Sequence, residues 1–189
     1  MGQYFMAVVV NEDFEKNPKN AVVASISPHH YDNFSKLTEH SYAGNHYVNA
    51  ALNMLYEHNG SRFAWCGDYY EMKDKDGKSM SLYDLCDEFV EAEQKKTSHK
   101  TYGIEAPYLY AINLDKKEYV SFPKYNPNRY TVHPLPILCA NSNGMGGGDY
   151  EGDYEENAGR WAFDHIMLSN VKPTTREFKS INRIAKFKA

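Results

Sequence analysis

Two stretches of this chain carry apolar residues at helical spacing, and the β-branched runs around them are too irregularly placed to repeat a strand-helix-strand unit. In the first stretch Val48, Ala51, Leu52, Leu55 and Tyr56 recur along residues 46–58, and Asn59-Gly60 supplies the stop. In the second, Leu82, Leu85, Cys86, Phe89 and Val90 recur along 81–95, behind Ser81 with Asp84 three residues on, a capping pattern. "YFMAVVV" (4–10) and "NAVVASI" (20–26) read as a hairpin, and "RFAWCGDYYE" (62–71) as a buried strand ending on a Gly-Asp corner, followed by the solvated turn "KDKDGK". "APYLYAINLDKKEYVSF" (106–122) gives two apolar runs about a tight turn. "PILCAN" and "RWAFDHIMLSN" are expected to be two more strands, and Thr174, three residues before Glu177, to open a capped helix. The interspersed order predicts an α+β fold. Its expected form is a single domain over 1–172, a mostly antiparallel sheet with two or three packed helices, followed by a basic amphipathic helix over 173–189.

A chain of 189 residues, 42% apolar and 24% charged, can bury one core without disulfide or metal staples. The net charge of −4 gives no general pull on nucleic acid or anionic lipid. That charge is unevenly spread. Asp149, Glu151, Asp153, Glu155 and Glu156 cluster, whereas the tail from Lys172 to Lys188 holds six basic residues against the single acid Glu177. Cys66, Cys86 and Cys139 are too few and too far apart for a disulfide framework or a CxxC zinc site, so buried free thiols are expected. The start has no basic n-region and no long apolar h-region, and no run reaches membrane-span length. A cytoplasmic protein with no membrane partner is the resulting expectation.

The functional signal is concentrated in "NSNGMGGGDYEGDYEEN" (141–157), where four glycines fall in five positions beside five carboxylates and two tyrosines. Glycines let successive backbone N–H groups converge on an anion. The segment is nevertheless neither a Walker A loop nor a dinucleotide fingerprint, and its carboxylates repel phosphate unless a cation or Arg160 intervenes. The tripeptide Gly-Asp-Tyr occurs at 67–69, 148–150 and 152–154, and a glycine before an aspartate lets a strand end turn sharply. These corners are expected to meet in one aromatic-walled hollow. Its ligand-binding residues would be Tyr69, Gly146, Gly147, Gly148, Asp149, Tyr150, Arg160 and Trp161.

His40, His46, Asp68 and Asp149 are the candidate catalytic residues, with His165 beside them, because imidazole and carboxylate carry protons near neutral pH. No histidine pair has the spacing of two ligands on one helix face, and no metal-ligand set is assigned. A divalent cation on Asp149, Asp153 and amide oxygens is the form an inorganic cofactor would take. There is no GxSxG elbow and no cysteine nucleophile. "HPLP" (133–136) reads as a rigid lead into a strand with His133 exposed.

In order along the chain, "MGQYF", "KLTEHSYAGNHYVNA", "WCGDYYE", "INLDKKEYV", "HPLPILCANSNGMGGGDYEG" and "GRWAFDHI" resemble an uncharacterised family found in bacterial and phage genomes. The resemblance covers most of the length except the basic tail, and implies a shared fold and a shared site without naming a chemistry. The loop here reads Asn-Ser-Asn-Gly where relatives have Asp-Ser-Asp-Gly, which weakens a metal role.

The leading expectation is therefore a small-molecule binding protein. Its ligand would be a polar molecule or nucleotide held by stacking tyrosines, loop amides and Arg160, and the phage association extends this to sequestration of a host signal. Two alternatives stand beside it. One is a metal-assisted hydrolase of a phosphorylated or nucleotide substrate using Asp68, Asp149 and His40 or His46. The other is an interaction module whose exposed tyrosines dock a protein partner.

Overall fold

A computed structural model describes residues 3–98, 100–141 and 157–181. The strand β1 (Phe5–Val10) lies at its heart and is buried at every position. Its odd residues Phe5, Ala7 and Val9 join one core cluster, and its even residues Met6, Val8 and Val10 join another. A strand covered on both faces loses the polar alternation of a half-exposed one, which is why "FMAVVV" is apolar throughout.

On either side of β1 lie β2 (Val22–Ile26) and β3 (Ser61–Gly67), both antiparallel to it. The helix α1 (Leu37–His40) is a single turn before α2 (His46–Glu57). The N-cap of α2 is Asn45, whose side chain accepts from Val48 N–H (3.1 Å), and its apolar stripe fills the first cluster. Tyr47 of α2 reaches the sheet itself. Ala7 N–H donates to its hydroxyl (2.7 Å), which in turn donates to the Ile26 carbonyl (3.3 Å), so the helix is spliced into the β1–β2 ladder.

The small hairpin β4 (Glu71–Lys73) and β5 (Ser79–Ser81) leads into α3 (Leu82–Gln94), capped by Ser81 accepting from Asp84 N–H (3.2 Å). Leu82, Cys86 and Val90, four residues apart, fill the second cluster, so α2 and α3 cover opposite faces of β1. The hairpin β6 (Tyr110–Asn113) and β7 (Glu118–Ser121) follows, then α4 (Pro134–Leu138), β8 (Ala140–Asn141), β9 (His165–Ser169) and β10 (Lys179–Ser180). Strand order is β10-β7-β6-β9-β3-β1-β2, with β8 paired to β3. Among the described strands only β10 with β7 and β8 with β3 are parallel. The chain is thus a single α+β domain with a mostly antiparallel sheet.

Three local expectations differ from this architecture. "PILCAN" is strand only at its end, Ala140–Asn141 of β8, and its first half lies in α4: prolines open that helix, and buried His133 caps it by accepting from Leu135 N–H (3.4 Å). Residues 157–164 run as turns, with Gly159 at φ +74 pressed against the Ala140 carbonyl, so only the second half of "RWAFDHIMLSN" is strand. The helix expected from Thr174 does not form over its described part, which is a turn followed by β10. Ile181 packs on the main core, so this stretch belongs to the domain and not to an appended helix. No helix among the described residues is long and apolar enough to cross a membrane.

Candidate functional site

The corner after β3 holds the first Gly-Asp-Tyr. A Cβ on Gly67 would lie 2.2 Å from Gln3 Nε2 and 2.9 Å from the Asn141 carbonyl, so only glycine fits where these chains converge. Asp68 is pinned to the start of β1: Tyr4 N–H donates to Oδ1 (3.2 Å), and Asp68 N–H donates to the Tyr4 carbonyl (3.0 Å). Burial pushes its carboxyl above the usual range. Tyr69 is half-buried beside it. The Gln3 side chain is wholly buried, and neither its amide nitrogen nor its oxygen has a hydrogen-bond partner. Gly146, Gly147, Gly148, Asp149 and Tyr150, with the other two Gly-Asp-Tyr tripeptides, lie outside the described residues.

The remaining sequence candidates go to separate places. His40 is buried, with Nδ1 donating to the Phe34 carbonyl (3.0 Å) and Nε2 accepting from Trp65 Nε1 (3.0 Å). Burial holds its pKa down at about 4. With its lone pair occupied, this imidazole braces Trp65 and is not placed to take a proton from a substrate. His46 sits exposed in the first turn of α2.

Arg160 and Trp161 do come together, on a carboxylate the sequence reading did not single out. Arg160 Nε donates to Glu118 Oε2 (3.0 Å), its second nitrogen pairs with Oε1, and Trp161 Nε1 donates to Oε2 (2.8 Å). The guanidinium, with the indole N–H beside it, holds the Glu118 carboxyl below the usual range. Glu118 lies on β7, three strands from β3, so this clamp ties the sheet to the 157–164 turns.

His165 forms another cluster. Nε2 faces Glu12 Oε1 (2.8 Å), Nδ1 faces Asp115 Oδ1 (2.9 Å), and Arg62 Nε donates to Glu12 Oε2 (2.7 Å). The bond to Glu12 first, and that to Asp115 after it, raise the imidazole pKa. Both ring nitrogens are therefore engaged by carboxylates, which makes the group an ionic pin between the start of β9 and the loops after β1 and β6. Among the described residues no group of three or more His, Cys, Asp or Glu is arranged to hold a metal ion. Cys66, Cys86 and Cys139 are free and buried, and burial raises all three thiols, so none is a ready nucleophile.

The best-formed hollow is elsewhere. Leaving α3, the chain crosses from one face of the sheet to the other, and there Asn53 Nδ2 bonds the Gly103 and Glu105 carbonyls (2.7 and 2.9 Å). Between this strap, the outer edge of β2 and the C-terminal half of α3 lies a cleft of about 640 Å³. Tyr31, Phe89, Val90, Tyr102 and Ile104 give it apolar walls, and His30, Gln94 and Lys100 stand among the polar groups. Tyr31 Oη accepts from Tyr102 N–H (3.2 Å), which fixes the strap to the segment after β2. Phe89 was legible as part of a helical stripe and Val23 to Ile26 as a strand. Their meeting with Tyr102 depends on the path of residues 95–105, for which the sequence carries no periodic signal.

These features define the class: an α+β domain with a concave, aromatic-walled cleft at a sheet edge among its described residues. Comparison with protein-family models, with curated proteins and with solved structures gave no match to any of the three. The functional reading therefore rests on the geometry.

Proposed function

We propose that this protein is a non-catalytic binding protein and that its ligand lies in the cleft beside β2. The observation that carries the reading is the cleft itself. Its volume of about 640 Å³ falls in the range of ligand sites, roughly 300–1,000 Å³, and it combines apolar walls with a few polar groups. Tyr31 and Tyr102 line this cleft, which supports a ligand recognised by tyrosines; the glycine segment lies outside the described residues.

The hydrolase reading has less support. Of its two candidate bases, His40 is committed at both nitrogens, and His46 is exposed in the first turn of α2 with no hydrogen bond to Asp68 among the described residues, while Asp149 lies outside them. A nucleotide held through Arg160 would have to compete with Glu118 for the guanidinium.

Ligand-observed NMR with a mixed set of nucleotides, amino acids and short peptides tests the proposal. Val23 and Thr101 line the cleft and are exposed, so Val23→Trp and Thr101→Trp should fill it without unfolding the domain. Binders are expected whose signal both variants abolish. Finding no binder, or only binders indifferent to both substitutions, would remove the cleft as the site.

A further inference from the structure

The geometry points to an extended peptide as the occupant of this cleft, added as a strand to the free edge of β2. The inference rests on the proposed binding role of the cleft and names its ligand class.

The first ground is the hydrogen-bonding wall. β2 ends the strand order, and no described strand pairs with its outer side. Ala7 turns its N–H toward β2, to the hydroxyl that also bonds the Ile26 carbonyl, so odd positions of β1 face β2. In the antiparallel register Ala7 faces Ile26 and Val9 faces Ala24. By the alternation of such a ladder Ser25, opposite Val8, directs its backbone N–H and C=O the other way, into the cleft. Its hydroxyl is turned inward to the Ala7 carbonyl (3.0 Å) and cannot serve that edge. Ser25 is only 7% exposed, and a buried peptide group calls for a partner.

The second ground is shape. Ala24, Ser25 and Ile26 are each at most 7% exposed, so the edge is sunk between α3 and the strap. The broad surface of a folded partner does not reach a sunken edge, and neither does the equally sunken β2 of a second copy. A single extended chain does. Its side chains alternate between two faces, and the cleft has an apolar wall for each: Phe89 and Val90 of α3 on one side, Tyr31, Tyr102 and Ile104 on the other. Backbone bonding to a strand edge, with pockets for alternate side chains, is the recognition mode of strand addition.

The third ground is charge. Lys100 is paired with Glu57, Glu93 with Lys96, and His30 Nε2 with Gln94 Nε2 (2.6 Å). The two ionised side chains of the wall, Glu93 and Lys100, are thus each paired within the protein, which suits an uncharged peptide backbone better than a phosphate.

A positional-scanning library of acetylated, amidated hexapeptides, titrated into ¹⁵N-labelled full-length protein, tests this. Apolar preferences at alternate positions are expected, with the Ser25 amide resonance shifting and its hydrogen exchange slowing. For the best hexapeptide, N-methylation of the residues on one edge should weaken binding at least tenfold, and on the other edge hardly at all. Equal tolerance of both methylation patterns, or no hexapeptide bound, overturns the inference. If a compact ligand from the NMR screen binds in the cleft while no peptide does, the binding role survives and the peptide assignment falls.

Discussion

Glu118 and Gln3 are both buried polar side chains of the same domain, and the fold treats them in opposite ways. The Glu118 carboxylate receives Arg160 at both oxygens and the Trp161 indole at one. The Gln3 carboxamide receives nothing and gives nothing, although it is wholly buried against Gly67. A polar group whose bonds close within the chain belongs to the scaffold, and one whose bonds stay open costs stability until something else supplies them. By that measure Arg160 and Trp161 are scaffold, while the Gly67 corner and the cleft edge at Ser25, like buried Ser41 Oγ, are places among the described residues where bonding capacity is left over.

The sharpest way to break this contrast is at Glu118. Replacing it by leucine strands a buried indole N–H and one face of the Arg160 guanidinium, and should cost about 3 kcal/mol or more in urea denaturation. Peptide binding by the cleft should be retained below the unfolding transition. A loss under 1 kcal/mol would show that the clamp is not structural.

His40 extends the scaffold side of the comparison. His40→Phe keeps an aromatic ring but leaves Trp65 Nε1 and the Phe34 carbonyl unpaired inside the core, which should cost about 2 kcal/mol. If the variant is as stable as the parent, the imidazole is free for another role and the hydrolase reading regains a base.

Gln3→Met tests the open side, and its sign is the informative part. Removing an unpaired buried carboxamide while conserving volume should raise stability, by roughly 1 kcal/mol. A fall would mean that Gln3 is paired in solution by a bound molecule, and the Gly67 corner would then join the cleft as a binding site.

What the sequence disclosed follows the same division. The stripes of α2 and α3, the Ser81 cap of α3, and the β1–β2 and β6–β7 hairpins are local patterns, set by periodicity and capping chemistry within a few residues. The first half of "PILCAN" misled because its short apolar run was read as strand despite the helix-opening prolines, although His133-Pro134 carries a capped start. The basic tail misled because a capping pattern at Thr174 was read without the parallel pairing to β7 that draws Lys179 into the sheet. The site was least legible. Arg160 looked like an anion receptor because its partner Glu118 is 42 residues away, and the cleft unites β2, α3 and the 100–104 strap through contacts no spacing encodes. Asp68 was read correctly as a strand-end corner, since a Gly-Asp turn is a local event.

The smallest expected effect separates two kinds of histidine. His165 has its pKa raised by Glu12 and Asp115, so its contribution is fully present below the unfolded value of about 6.5 and is lost as pH rises through the higher folded value. The network is partly exposed, which limits the contribution to roughly 1 kcal/mol or less. His40 and His133 are buried with pKa values of about 4 and about 3, so their contribution runs the other way, present above about 6.5 and lost as pH falls toward those values. Stability should therefore decline on both sides of mildly acidic pH for different reasons. In His165→Gln, urea midpoints measured from pH 5 to about 7.5, below the range in which the buried thiols begin to ionise on unfolding, should lose the decline toward alkaline pH and keep the acid one. An alkaline decline that survives the substitution would show that the imidazole between Glu12 and Asp115 is not what joins these three segments.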